Sequence, residues 1–114
     1  MGEIIHLVSL MEQCHVPSMD NHPELIRALK QAAVISNMTV LETSWTKFKP
    51  KGLSVILLLK ESHIAIHTWP ELAKVDVEIV TCGQDSQPEK ALNKLAEYLK
   101  PGNIIKKTFS FPLD

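Results

Sequence analysis

The chain has 114 residues, 45% of them hydrophobic and 22% charged, with a net charge of -1. That is length enough for one domain with a real core, and the charge balance offers no field to attract nucleic acid or anionic lipid. No apolar run reaches membrane-spanning length, the N-terminus lacks a secretory pattern, and two cysteines, Cys14 and Cys82, are too few for a disulfide framework. The expectation is a reduced, cytoplasmic protein with no nucleic-acid or membrane partner.

In chain order, "IIHLVSLM" (Ile4 to Met11) predicts a first strand, and "EQCHVPSMDNHP" a loop. Asn21 can cap a helix whose first turn suits Pro23, and Leu25, Leu29, Ala32 and Ala33 recur at helical spacing. That helix should end near Asn37. "TVLETSWTKF" (Thr39 to Phe48) is β-branched and aromatic, which predicts a strand, and "KPKG" a turn. "LSVILLLK" reads as a strand buried on both faces. "HIAIHT" alternates as another strand, "WPELA" is a loop, and "KVDVEIVTC" alternates again. Pro88 opens a second helix, lined by Ala91, Leu92, Leu95 and Leu99 and stopped by Pro101 and Gly102. "NIIKKTFSF" is the last strand. The order predicts an α+β, two-layer sandwich: a mainly antiparallel sheet with two helices on one face, as a single domain over residues 1–114. The other face of the sheet needs cover, which a second copy of the chain would supply as a homodimer.

Within the apolar hairpin "LLLKESHIAIHTWPE", the polar residues Glu61, Ser62, His63 and His67 stand out. Side chains two apart on a strand share a face, so His63, Ala65 and His67 point one way and Ile64 and Ile66 the other. Cys82 shares a face with Glu78 and Asp76. Antiparallel pairing around "WPELA" is expected to let His67 and Cys82 approach each other, and Ser62 sits at a bend. Singly, each has a plain reading: a hydrogen-bonded strand histidine, a turn serine, a small buried thiol. A zinc set of His63, His67 and Cys82 lacks a fourth ligand, and no metal is expected.

Taken together, "ESHIAIHTWPE" followed by "TCG", with "KFKPKGLS" upstream, resembles the bacterial and archaeal S-adenosylmethionine decarboxylase proenzymes. The resemblance is strong from Trp45 to Gly83 and looser over the two helices. It implies a self-processing, pyruvoyl-dependent decarboxylase of polyamine (spermidine) biosynthesis. Ser62 would attack the carbonyl of Glu61, and ester formation and β-elimination would split the chain into residues 1–61 and 62–114. The cofactor would be a covalent pyruvoyl group made from Ser62, which forms a Schiff base with the amine of a small amino-acid-type substrate and drains electrons from the decarboxylated carbon. By the same resemblance Ser54 supports the processing intermediate. His67 takes the α-proton during elimination, a task that suits an imidazole near neutral pH. Cys82 returns a proton to the decarboxylated carbon, Glu71 contacts the substrate, and Phe48 lines the adenine pocket.

Four positions depart from the family pattern. Lys74 replaces a tyrosine, Asp76 an alanine, Glu78 an aspartate, and Thr46 a frequent histidine. The new carboxylate of Asp76, with Glu78 on its face, could pair with a cationic substrate. The departures therefore keep L-ornithine or L-arginine as alternative substrates for the same machinery. A non-enzymatic relative that binds a small amine is the reading from another class. The intact set Glu61, Ser62, His67 and Cys82 argues against it.

Overall fold

The computed structural model describes residues 2–82 and 85–114. Its strands are β1 (Glu3–Glu12), β2 (Val40–Lys47), β3 (Leu53–Leu59), β4 (Ser62–Trp69), β5 (Lys74–Thr81) and β6 (Asn103–Pro112). The helices are α1 (Val16–Met19), α2 (His22–Ile35) and α3 (Pro88–Leu99). The strands form one sheet in the order β2-β3-β4-β5-β1-β6, and every neighbouring pair is antiparallel. This is the α+β architecture expected from the sequence. The one added helix, α1, is a single turn inside the expected loop, with Pro17 in its first turn. The "WPELA" loop holds a 3-10 turn at Pro70–Leu72.

Local chemistry explains the helix ends. The Asn21 side chain accepts the backbone N–H of Glu24 at 3.3 Å, a satisfied N-cap. At the other end of α2, Asn37 takes φ 63°. The N–H of Met38 reaches the Ala33 carbonyl at 2.9 Å and that of Asn37 the Val34 carbonyl at 3.2 Å. Those two bonds make a Schellman closure, which ends the helix two residues short of the expected Asn37. α3 ends on Lys100 in the left-handed region, just before Pro101.

Both long helices cover one face of the sheet. Leu25, Leu29 and Ala32 of α2, with Leu92, Leu95 and Leu99 of α3, are buried against Leu53, Val55, Leu57, Ile64, Ile66, Val77 and Ile79. The alternation on β4 is as expected, with Ile64 and Ile66 fully buried and His63, Ala65 and His67 partly exposed on the opposite face. β3 corrects the sequence reading. It is buried on one face only, because Ile56 and Leu58 are each 47% exposed on the side that carries no helix. That helix-free face also shows Ile105, Phe109 and Phe111 of β6. Phe109 stacks on His6 at 4.8 Å.

Candidate active site

The helix-free face carries His63, His67, Asp76 and Glu78, Ser62 alternates with Ile64 onto the helix-covered side, and the register sorts the polar residues singled out in the sequence into two groups at opposite ends of the strands. At the first end, the β2–β3 hairpin and the loop after β4 enclose a cavity of about 300 Å³. Phe48, Lys51, Gly52, Ser54, His67, Thr68, Trp69 and Glu71 line it. Four expected site residues, Phe48, Ser54, His67 and Glu71, are thus brought together. Ser54 and His67 are register partners, and Ser54 Oγ lies 2.7 Å from His67 Nδ1. The hydroxyl of Thr68 accepts the N–H of Leu53 at 2.9 Å, which ties the floor of the cavity across β3 and β4. Trp69, half-exposed on the rim, was not singled out in the sequence. Its signal was there, as the aromatic before Pro70 and Glu71.

At the other end, Lys60 and Glu61 form a two-residue turn between β3 and β4, with Leu59 paired to Ser62. Glu61 has φ 63°, a left-handed conformation that a residue with a Cβ holds at a cost of about 1 kcal/mol or more. The thiol of Cys82 donates to the carbonyl oxygen of Glu61 at 2.8 Å, and the Glu61 carboxylate lies further off at 3.9 Å. Ser62 Oγ donates weakly to the Lys60 carbonyl at 3.4 Å. The turn thus presents a strained peptide, a donor on its carbonyl oxygen and a hydroxyl on the next residue. Those are the parts needed for an acyl shift from nitrogen to oxygen. Gly83, which completes the Thr-Cys-Gly run, lies outside the described residues.

Between the two ends His63 Nε2 meets Glu78 Oε1 at 3.3 Å. Asp76 is the register partner of His67, while Glu78 pairs with Ala65. No described hydrogen bond or ion pair engages Asp76, so its carboxylate stays available beside His67.

The expected approach of His67 to Cys82 does not occur within one chain. His67 pairs with Asp76, and Cys82 lies six residues further along the chain, just past the end of β5. At about 3.3 Å per residue that separates them by roughly 20 Å. The same register keeps His63, His67 and Cys82 from sharing one zinc ion, and no group of three or more potential ligands gathers among the described residues. Cys14, the other thiol, is buried, and burial pushes its pKa up to about 11. No helix among the described residues is long and apolar enough to cross a membrane.

The chain is similar to known proteins over most of its length. The family model described as S-adenosylmethionine decarboxylase matches residues 5–110. The S-adenosylmethionine decarboxylase proenzyme of Thermotoga petrophila is 37% identical over 99 residues, covering 87% of this chain and 76% of that one. The proenzyme of Methanococcus aeolicus is 34% identical, covering 87% and 85%. Among solved structures, the adenosylmethionine decarboxylase of Aquifex aeolicus superposes with a TM-score of 0.87 at 27% identity, over 95% of this chain and 89% of that one. The Trypanosoma brucei AdoMetDC monomer shares the fold with a TM-score of 0.66 at 16% identity, over 90% of this chain and 44% of that one.

Proposed function

Because the chain belongs to the S-adenosylmethionine decarboxylase family, we propose that it is a proenzyme that cuts itself between Glu61 and Ser62 and then decarboxylates S-adenosylmethionine. The observation that carries the reading is the strained Glu61 peptide with the Cys82 thiol on its carbonyl, one residue before Ser62. Ser62 Oγ adds to the Glu61 carbonyl carbon, its proton passes to the amide nitrogen, and the C–N bond breaks to leave an ester. The thiol of Cys82 stabilises the charge that develops on the oxygen. Loss of the Ser62 α-proton then expels the Glu61 carboxylate, and water replaces nitrogen as ammonia at the new end. Residues 1–61 and 62–114 become separate chains of one folded unit, the second bearing a pyruvoyl group. The turn residues fit such a group, since the ketone would lie beside a thiol able to hold and return a proton. When present it supplies the electron sink that α-decarboxylation needs.

The remaining roles require a second copy. Ser54 and His67 stand about five residues along the strands from Ser62, roughly 17 Å, and Ser62 alternates with Ile64 toward the helix-covered side while Cys82 beside it is in step with Asp76 and Glu78. Two sheets meeting face to face about a two-fold axis would set the Ser54–His67 end of one against the Ser62–Cys82 end of the other. The exposed Ile56, Leu58, Phe109 and Phe111 on that face support the same homodimer. In it, His67 of the second copy takes the Ser62 α-proton and Ser54 steadies the imidazole at 2.7 Å. Phe48 offers its ring to the adenine, Glu71 accepts hydrogen bonds from the substrate, and the free carboxylate of Asp76 faces its cationic end. Glu78, held by His63, shapes the floor between the two halves. The names of the relatives favour S-adenosylmethionine over ornithine or arginine.

Denaturing mass spectrometry with a labelled-carboxyl turnover assay tests this. Wild-type protein should give two fragments split at Glu61/Ser62 and release carbon dioxide from S-adenosylmethionine. Ser62→Ala should stay intact, and His67→Ala should stall at the ester, so that hydroxylamine cleaves it. Co-expressing His67→Ala with Cys82→Ala should rebuild one complete site per dimer. Turnover by a chain whose Glu61–Ser62 amide is intact would end the reading.

A further inference from the structure

Asp20 is not among the residues that line the cavity, yet it holds the segment that forms one of its walls. It sits between α1 and α2, and its carboxylate faces the β2–β3 hairpin. Oδ1 accepts the backbone N–H of Gly52 at 3.1 Å, and Oδ2 lies 2.9 Å from Lys47 Nζ. The same ammonium also donates to the Asp20 main-chain carbonyl at 3.1 Å. One residue thus grips both shoulders of the turn that carries Phe48 and Lys51.

Gly52 transmits that grip to the cavity. Its carbonyl accepts the N–H of Phe48 at 2.8 Å, which closes the turn, while its own N–H goes to Asp20. Its φ is +110°, and a Cβ built there would meet the Thr68 carbonyl oxygen at 3.4 Å and the Phe48 ring at 3.8 Å. Its backbone is therefore wedged between two cavity-lining residues. A shift of the Gly52 peptide moves the Phe48 ring relative to Thr68 and Trp69.

We propose that Asp20 is a positioning residue for substrate binding, holding the Phe48–Gly52 wall through Gly52 N–H and Lys47 without touching the substrate. The proposal rests on reading the cavity as the substrate pocket. Two further features support it. Hydrogen bonding from Lys47, then the Gly52 N–H and the charges of Lys47 and Lys51, hold the Asp20 carboxyl below its ordinary range against a smaller opposing effect of burial. The clip also joins segments 27 and 32 residues apart, so neither the helix nor the hairpin needs it for its own hydrogen bonding. A contact that fixes a binding wall but not the reacting atoms alters ground-state and transition-state binding together. It should therefore appear in KM and leave kcat in place.

The test uses the full chain after self-cleavage, as wild type, Asp20→Ala, Asp20→Asn and Lys47→Met. Cleaved fraction comes from denaturing mass spectrometry, KM and kcat from turnover of S-adenosylmethionine, and the Gly52 amide is followed by hydrogen exchange. Asp20→Ala should raise KM roughly tenfold, equivalent to about 1.4 kcal/mol, with kcat within about twofold and faster exchange at Gly52. Asp20→Asn, which keeps an acceptor for Gly52, should recover most of the KM. Lys47→Met should fall between them and serves if Asp20→Ala does not fold. An unchanged KM beside a deprotected Gly52 amide overturns the proposal, as does a loss of kcat in step with the loss of folded protein. Wild-type protein that neither cleaves nor turns over substrate would instead sink the functional reading, while Gly52 exchange in the variants still reports the clip.

Discussion

The backbone strain at Glu61 makes the sharpest prediction. A residue with a Cβ at φ 63° is disfavoured by about 1–2 kcal/mol, and glycine bears almost none of that cost. If forming the bond from Ser62 Oγ relaxes the turn, the strain is part of what drives cleavage. The comparison to make is Glu61→Gly against Glu61→Ala, since both lack the carboxylate but only alanine keeps the strain. Glu61→Gly should then cleave about fivefold more slowly, rising to about thirtyfold if the full 2 kcal/mol is released. Cleavage starts from the folded, uncut chain, so the extra freedom of glycine in the unfolded state does not enter. Glu61→Ala itself should stay within a few-fold of wild type, because the carboxylate lies 3.9 Å from the Cys82 sulfur, too far for a strong bond. The assay is cell-free synthesis sampled over time into denaturant, with cut and uncut masses counted at each point. Glu61→Gly cleaving as fast as Glu61→Ala would show that the turn's strain is not used.

The helix-free face predicts that Leu58→Glu yields a monomer in sedimentation, with unchanged helix content and little self-cleavage, because Leu58 is 47% exposed in the single chain and its replacement disturbs no core. A dimer that survives Leu58→Glu and Ile56→Glu together would place the interface elsewhere. The thiols should differ sharply toward alkylating reagents. With its pKa near 11, Cys14 holds about 0.1% thiolate at pH 8, and this share grows only as pH approaches that value. Iodoacetamide should therefore label Cys82 in the folded protein and Cys14 only after unfolding, and equal labelling of both would contradict the burial of Cys14.

Which side chains share a face was legible in the sequence, because strand alternation is a local property. The buried pair Ile64 and Ile66, the partly exposed His63 and His67, and the common face of Asp76, Glu78 and Cys82 all follow from a period of two. Where a residue stands along its strand was not legible. The distance between His67 and Cys82 depends on the register, which the Pro70–Leu72 turn fixes by setting His67 opposite Asp76. A shared face therefore suggested a contact that about 20 Å of strand prevents. The reading of β3 went wrong for a related reason. Leu57 and Leu58 are equally apolar, and nothing in the string says that the helices cover only one of them. The cavity itself emerged only with the fold, since Phe48, Ser54, His67 and Glu71 come from three separate stretches of chain.

The departures from the family pattern separate once they are placed on the sheet. Lys74 lies 3.5 Å from Glu12, whose carboxyl is held below its ordinary range chiefly by the Asn103 side chain and then by Lys74, so this departure is taken up by an ion pair between β1 and β5. Glu78 is engaged by His63. The other two fall in one row across the sheet, running Thr46, Ser54, His67, Asp76 from β2 to β5. They flank the Ser54–His67 pair on either side, and directly opposed residues of neighbouring strands bring their Cβ atoms within about 5 Å. Replacing a histidine by threonine on one flank removes a group able to carry positive charge. Replacing an alanine by aspartate on the other adds a negative one. Both changes move the potential around His67 in the same direction. The added carboxylate opposite His67 makes this end of the sheet more negative, which favours a cationic, sulfonium-bearing substrate there. The two departures therefore bracket the Ser54–His67 pair unequally: Asp76 stands directly opposite His67, while Thr46 stands opposite Ser54, one strand further from the imidazole.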